Sequence, residues 1–308
     1  MTPLDFAAKR DGVADAGGIE RDDIAIVAGR RIAGHEPFRT GTQASDMDID
    51  LGLEGNVALV TGSATGLGHA CAEAFSRQGA NVALAAPNMD GLAYASDRLH
   101  ALGEGDIFGL EVDVRNRDHL AALVEETVDQ YGGIDHLVTG PRPLEPERFL
   151  DVSDEDWFRG FDRLFMSVVW AIRESAAHLE DSDQGSVVTI ANPAIPALAD
   201  ELPMATAYGR AVQGLTESQA TALAPDVRVN AVVPGPHETE DLEQVLAQRV
   251  EAGEFTDVAS AWEAVLADCP YESPGQPLDL GKVVAFLSSR HASFVNGATV
   301  PVDGGSGL

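Results

Sequence analysis

The sequence predicts a single α/β domain built on a parallel sheet with helices on both faces. Three observations carry this. From Leu53 onward, short apolar runs alternate with amphipathic stretches of helical length. A glycine-rich turn follows the first run and opens the first helix. Apolar residues make up 44% of the 308, enough to fill a sizeable core.

Taken in order, the apolar runs Val57–Val60, Val82–Ala86, Ile107–Val112, His136–Val138, Ser186–Ile190, Arg228–Val232 and Ala298–Val302 read as strands. Strands buried on both faces show continuous apolar runs of this kind. The intervening helices are Gly66–Gln78, Asp90–Leu102, Arg117–Tyr131, Asp154–Leu179, Thr206–Leu223 and Leu278–Ser288. A helix between two strands lets the chain cross over and pair them in parallel. Ser153 with Asp156 forms a capping arrangement at the start of the fourth helix. Residues 238–268 read as an acidic, helical insertion before the last helix. Residues 47–308 form the domain. Residues 1–46 show little periodicity beyond the apolar run Ile24–Ala28, and read as a disordered extension or as sequence upstream of a start at Met47.

Charge is the strongest feature of the composition. Fifty acidic residues face twenty basic ones, a net of −30, and Lys9 and Lys282 are the only lysines. The imbalance is concentrated: residues 1–46 carry six cations and eight anions, residues 47–308 fourteen and forty-two. Such a field repels phosphate backbones, which excludes nucleic acid as a partner. An acidic, lysine-poor surface on an ordinary core matches proteins of salt-loving cells, where salt screens the self-repulsion; an acidic partner-binding surface is the alternative. No apolar run approaches the ~18 residues of a membrane span, so no membrane partner is expected. The first thirty residues lack the apolar block of a secretory signal. With only Cys71 and Cys269, no disulfide framework or cysteine metal cluster is expected, and a reducing cytoplasm fits. The histidines show no ligand spacing, so no metal site is assigned.

The turn Thr61-Gly62-Ser63-Ala64-Thr65-Gly66-Leu67-Gly68 follows a strand and opens a helix. There, backbone N–H groups and the helix dipole can hold a pyrophosphate. Gly62 permits the tight turn, Gly66 lets phosphates approach the main chain, and Gly68 lets the helix pack on the sheet. The spacing resembles the short-chain dehydrogenase/reductase family, and further matches span residues 53 to 307. Asp113-Val114 closes the third strand where the family contacts adenine. Asn230-Ala231-Val232-Val233-Pro234-Gly235, with Thr239 beyond it, matches the loop near the nicotinamide, and Val302-Asp303-Gly304-Gly305 matches the C-terminal ending. The resemblance is to the branch of the β-ketoacyl carrier-protein reductases. It implies a Rossmann-type doubly wound seven-stranded parallel sheet, NAD or NADP as cofactor, and a homodimer or homotetramer. The phosphate cradle is Gly62, Thr65, Gly66, Leu67 and Gly68.

The family moves a hydride between nicotinamide and a carbonyl or alcohol. A tyrosine gives the proton, a lysine four residues later lowers the tyrosine pKa, a serine holds the substrate oxygen, and an asparagine completes the relay. Here an ungapped alignment puts Asn192 at the serine, Ala205 at the tyrosine, Gly209 at the lysine and Leu164 at the asparagine; a one-residue gap offers Thr206 and Arg210 instead. The tetrad is degenerate in either register. Tyr208 lies about 4.5 Å along the helix axis and ~60° around from Ala205. Two readings of it stand side by side. With Arg210 on a ribose hydroxyl and Asn192 on the substrate oxygen, Tyr208 reaches back into the vacant position; or Tyr208 and Arg210 are an aromatic and a surface cation of an amphipathic helix. Asn192 has the alternative of capping the turn before Pro193. His237 either faces the nicotinamide or is a solvated loop histidine.

Other family cues are altered. The amides that brace the family's sheet are replaced by Thr139-Gly140-Pro141-Arg142. Ala86, Pro87 and Asn88 offer neither the acid that favours NAD nor the base that favours NADP, and Thr65 stands where NADP forms often carry arginine. The expected function is therefore an atypical oxidoreductase acting on the carbonyl or secondary alcohol of a small molecule, with a non-catalytic nucleotide-binding or partner subunit as the alternative. Residues 238–268 form a substrate lid by family analogy. Its Leu242, Val245, Leu246, Phe255 and Trp262 point to an apolar substrate, or else pack the lid on the body.

Overall fold

The seven apolar runs form strands in a computed structural model that describes residues 26–28, 49–140, 147–191 and 202–307. In chain order the elements are β1 (Ile26–Ala28), β2 (Val57–Thr61), α1 (Gly66–Arg77), β3 (Asn81–Ala86), α2 (Met89–His100), β4 (Ile107–Glu111), α3 (Arg117–Tyr131), β5 (His136–Thr139), α4 (Asp154–Phe161), α5 (Ser167–Glu180), β6 (Ser186–Ile190), α6 (Pro203–Ala222), β7 (Arg228–Pro234), α7 (Glu240–Glu251), α8 (Val258–Leu266), α9 (Pro277–Ser288) and β8 (Thr299–Val302). The sheet runs β1-β4-β3-β2-β5-β6-β7-β8. From β4 through to β8 all neighbours are parallel, which is the expected doubly wound, seven-stranded Rossmann-type sheet. Strand β1 is an addition: it pairs antiparallel with β4, Ile26 opposite Leu110, within a stretch where the sequence predicts no element. It covers backbone groups that β4 would otherwise present at the sheet edge. The remainder of residues 1–46 lies outside the described residues.

Side chains alternate across the sheet and build two cores. Ala58 and Val60 of β2, with Val82 and Leu84 of β3, join Phe75 of α1, Leu92 of α2 and Leu280 of α9. Leu59, Ala83 and Ala85 point the other way, toward Leu120 of α3, Ile172 of α5 and Val212 of α6. Helices α7 and α8 occupy the expected insertion and form a third cluster around Leu246, Ala261 and Val265.

One predicted helix is divided. The expected run Asp154–Leu179 becomes α4, a π-helical turn at Asp162–Met166, and α5. The wider turn keeps both Leu164 and Val168 in the core, at 1% exposure each. The predicted cap is present: Asp156 N donates to Ser153 Oγ at 3.2 Å, and the Ser153 hydroxyl donates back to the Asp156 carboxylate.

The end of the sheet opposite the glycine turn is held by buried polar groups. Arg228, at the start of β7, donates to the carbonyls of Leu287 (2.6 Å), Ser288 (2.9 Å), Ser289 (3.1 Å) and Ala292 (3.0 Å). It thereby satisfies carbonyls that the C-terminus of α9 leaves without helical partners. His136, fully buried on β5, accepts from Asn56 Nδ2 and donates to Ser186 Oγ, both at 2.9 Å.

Candidate active site

Strand β2 sits at the topological switch of the sheet: the chain leaves it toward β3 and later returns to its other side as β5. In open α/β sheets the crevice at the carboxyl ends of such strands is the ligand site. The turn between β2 and α1 occupies it. Gly62 has φ +65°, and a Cβ there would lie 2.0 Å from Gly140 O. A Cβ on Gly68 would lie 2.2 Å from Gly62 O, so both crossings require glycine. Gly66, at φ +60°, is not crowded by backbone: a Cβ there would lie 3.9 Å from Asp241 Oδ2. Ser63 ties the turn to β3 by accepting Ala85 N–H at 2.9 Å.

Thr65 occupies the N-cap of α1 but makes no side-chain capping bond, whereas Asn88, Asn116, Ser153, Thr239 and Asp257 cap the helices they precede. The first-turn N–H groups of α1 thus have no side-chain acceptor from Thr65, and the positive end of the helix dipole opens onto the crevice. Leu67 anchors the turn by packing on the first core. Behind it, His69 Nδ1 lies 3.3 Å from Ser63 O, and Nε2 is buried without a partner among the described residues. Burial holds its pKa below the ordinary value, which keeps the ring neutral at pH 7.

Hydroxyls brace the strand ends beside the turn. Gly140 N donates to Thr61 Oγ1 at 3.1 Å, and Thr139 Oγ1 donates to Thr189 Oγ1 at 2.9 Å. These threonines were open to sequence reading only as strand residues, because the pairing depends on the register of β2, β5 and β6. On one side of the crevice, Asp113 is paired with Arg115 (2.7 Å), which holds its carboxyl below the usual range, and Val114 packs on the second core. On the other side, Gly235 N donates to Val302 O at 2.9 Å, and a Cβ on Gly235 would lie 2.6 Å from Asp303 Cα. Pro234 ends β7, and Thr239 Oγ1 caps α7 by accepting Leu242 N–H at 3.3 Å.

His237 is neither solvated nor open to the crevice. It is 4% exposed, its Nδ1 bonds Gly235 O at 3.0 Å, and its ring fills the space beside Gly275. It fixes the segment leading into α7 through the paired backbone at Gly275. Of the apolar residues singled out in this segment, Leu246 belongs to the third cluster, Leu242, Phe255 and Trp262 pack against it together with Leu202, and Val245 is not part of it.

Ala205 and Gly209, one turn apart on α6, are both buried against the domain, and Leu164 is buried in the π-helical turn. Tyr208 lies on a different flank of α6. Its hydroxyl donates to Trp157 O at 2.9 Å, and its ring sits 5.8 Å from that of Trp157 and 5.9 Å from that of Phe161. Burial, followed by the nearby Asp162 carboxylate, raises its pKa, the reverse of what a proton donor needs. Arg210 is exposed and donates to Gln213 Oε1 at 3.2 Å. Thr206 Oγ1 is buried without a partner among the described residues. Asn192, Pro141 and Arg142 lie outside the described residues. At the end of β3, Ala86 is buried and the Asn88 amide is used in capping α2 (2.7 Å from Gly91 N). Among the described residues no group of three His, Cys, Asp or Glu could hold a metal, and no helix is long and apolar enough to cross a membrane.

Fold and turn together define a dinucleotide-binding α/β protein. Residues 62–307 match the family described as enoyl-(acyl carrier protein) reductase. The chain is 30% identical over 257 residues to 2-dehydro-3-deoxy-D-gluconate 5-dehydrogenase of Escherichia coli, covering 82% of this chain and 96% of that enzyme. It is 27% identical over 257 residues to 7alpha-hydroxysteroid dehydrogenase of the same species (83% and 96%). Among solved structures, L-sorbose reductase of Gluconobacter frateurii, complexed with NADPH and L-sorbose, superposes with a TM-score of 0.79 at 26% identity, covering 84% of this chain and 98% of that one. The chain therefore belongs to the short-chain dehydrogenase/reductase family, whose named relatives here are dehydrogenases and reductases.

Proposed function

We propose that this protein is an NAD(P)-dependent oxidoreductase that interconverts a carbonyl and a secondary alcohol on a small molecule. The carrying observation is the glycine turn, which leaves Gly66 without a close backbone neighbour and the start of α1 uncapped by Thr65 at the switch point of the sheet. That cradle fits a pyrophosphate: a side chain at Gly66 would project into the space a phosphate needs, and first-turn N–H groups supply donors. When bound, the nicotinamide supplies or accepts the hydride. In this reading Gly62, Thr65, Gly66, Leu67 and Gly68 hold the phosphates. Asp113 and Val114 lie on the adenine side, Pro234, Gly235 and Thr239 on the nicotinamide side, and the Asn192 amide holds the substrate oxygen. NADPH is the cofactor in the L-sorbose reductase complex, while Ala86, Pro87 and Asn88 are compatible with either NAD or NADP.

The atypical part of the proposal concerns the proton. Tyr208 is an aromatic brace between α6 and α4, Arg210 is a surface cation, and Ala205 and Gly209 leave the family's acid position without a titratable group. Lacking a positioned acid, turnover is lower by ~10²–10⁴ than with one. The resemblance also carries a homodimer or homotetramer, supported by the exposed Phe149, Leu150, Phe158 and Phe161 on one flank, and a cytoplasmic, salt-adapted setting supported by the acidic surface.

The test is a fluorescence titration with NADH and NADPH in molar KCl, followed by a panel of ketones and secondary alcohols. Saturable binding with slow turnover is expected, and Ala205→Tyr with Gly209→Lys should raise turnover by ~10². A folded chain that binds neither cofactor overturns the proposal.

A further inference from the structure

Helix α8 and the loop that leaves it toward α9 line a cavity of about 830 Å³, within the range of sites that hold small molecules. None of the described lining residues belongs to the glycine turn or to the strand ends beside it. The apolar part of the lining includes Trp262 and Leu266 of α8 and Pro270 of the loop. The charged residues are all carboxylates: Glu238, Glu263, Asp268 and Glu272. Glu238 accepts a hydrogen bond from the neutral Gln276 amide at 2.6 Å, and none of the four joins an ion pair among the described residues. The negative charge of this cavity is therefore uncompensated.

The loop is fixed rather than loose. Glu272 has φ +55°, a left-handed conformation that disfavours any side chain, so a carboxylate is held at the cavity at a steric cost. Its N–H donates to Cys269 O at 2.9 Å. Cys269 is buried, its Sγ lies 3.6 Å from Gly304 O, and a Cβ on Gly304 would lie 3.0 Å from that sulfur. Trp262 packs against the third cluster and also lines the cavity. Indole is the ring system that attracts a cation best. A neutral ligand gains nothing from four carboxylates and an anion is repelled, whereas a cation with an apolar body meets both parts of the lining.

We propose that this cavity binds a small organic cation, an ammonium group on an aromatic or aliphatic body. The ammonium lies between the Trp262 indole and the carboxylates of Glu263 and Glu272, and the body lies against Leu266 and Pro270. The proposal does not rest on the reading of the glycine turn. Salt separates such a site from the general attraction of a −30 chain for cations. At ~1 M the screening length is about 3 Å, so the long-range field is suppressed while an ammonium–carboxylate contact of about 2.8 Å persists.

The experiment is isothermal titration of the full chain with benzylammonium in ~1 M KCl, with benzyl alcohol as the neutral probe of the same shape. Circular dichroism establishes that each variant is folded. Benzylammonium should bind at one site, at least about tenfold more tightly than benzyl alcohol. Glu263→Gln with Glu272→Gln, both exposed and nearly unchanged in size, should weaken it about tenfold. Glu125→Gln with Glu217→Gln removes the same charge from exposed positions on α3 and α6 and should leave binding unchanged. Trp262→Phe, which keeps an apolar ring on the third cluster, should weaken binding about threefold and abolish the change in indole fluorescence that the titration produces in the wild type. Absence of saturable binding overturns the proposal, as does equal affinity for benzyl alcohol, which would leave an apolar groove without cation selectivity. An equal loss in the α3 and α6 pair would assign the effect to the whole-molecule field, and an unchanged affinity in Trp262→Phe would place the cation elsewhere; either result overturns it too.

Discussion

Replacing His136 should change how the stability of the domain depends on pH. The ring is fully buried, stacked on Phe75 with centroids 5.6 Å apart, and held between Asn56 and Ser186. Burial lowers its pKa to about 4; Asp135 acts in the opposite sense and Arg228 in the same one. An unfolded chain titrates this histidine near 6.5. Between those values the unfolded state carries the proton and the folded state does not. The contribution of neutral His136 is therefore fully present above pH ~6.5 and is lost as pH falls toward ~4. The whole shift is worth about 3 kcal/mol at 1.36 kcal/mol per pKa unit, of which about 2 kcal/mol is lost by pH ~5. His136→Gln has no titrating group at this site. Urea unfolding in molar KCl at pH ~7 and ~5 should show the stability gap between wild type and variant shrinking by about 2 kcal/mol at the lower pH. Other titrating groups are common to both proteins and cancel in the difference. A gap that stays constant between the two pH values would refute the assignment of a buried neutral ring.

Three further outcomes follow from the same contacts. Arg228→Met removes the donors to five carbonyls at and just beyond the end of α9 and should cost about 2–4 kcal/mol in urea unfolding, with Arg228→Lys recovering part of it. Gly68→Ala places a methyl group 2.2 Å from Gly62 O, so the turn must open; NADPH titration should show affinity falling at least ~10-fold, and a wild-type value would argue against the crossing. Tyr208→Phe deletes the bond to Trp157 O and should lower stability by about 1 kcal/mol while leaving turnover unchanged; a matching loss of turnover would return Tyr208 to the catalytic site.

The strands and most helices were legible because their signals are local. Apolar runs bounded by polar residues define β2 to β8, and Gly62 and Gly68 stand at backbone crossings that side chains forbid. The glycine turn was legible for the same reason, being one continuous stretch. The division of helix Asp154–Leu179 was not, because the π-helical turn responds to how Leu164 and Val168 meet the core rather than to a breaker in the sequence. The exposed edge of β4 recruited Ile26–Ala28 from a stretch whose three apolar residues have no strand signal of their own.

From the sequence alone came the parallel doubly wound sheet, the position of the glycine turn between β2 and α1, and the −30 charge. Backbone sterics, periodicity and charge count do not require knowing what lies across the fold. Tertiary structure decided the rest: the Tyr208 hydroxyl is committed to a carbonyl 51 residues away, His237 is buried against Gly275, the Thr139–Thr189 pair braces the sheet, and Asp241 lies 3.9 Å from where a Gly66 Cβ would stand. Each depends on where packed elements bring distant residues together, and the chemistry of a side chain follows from the neighbours it acquires there.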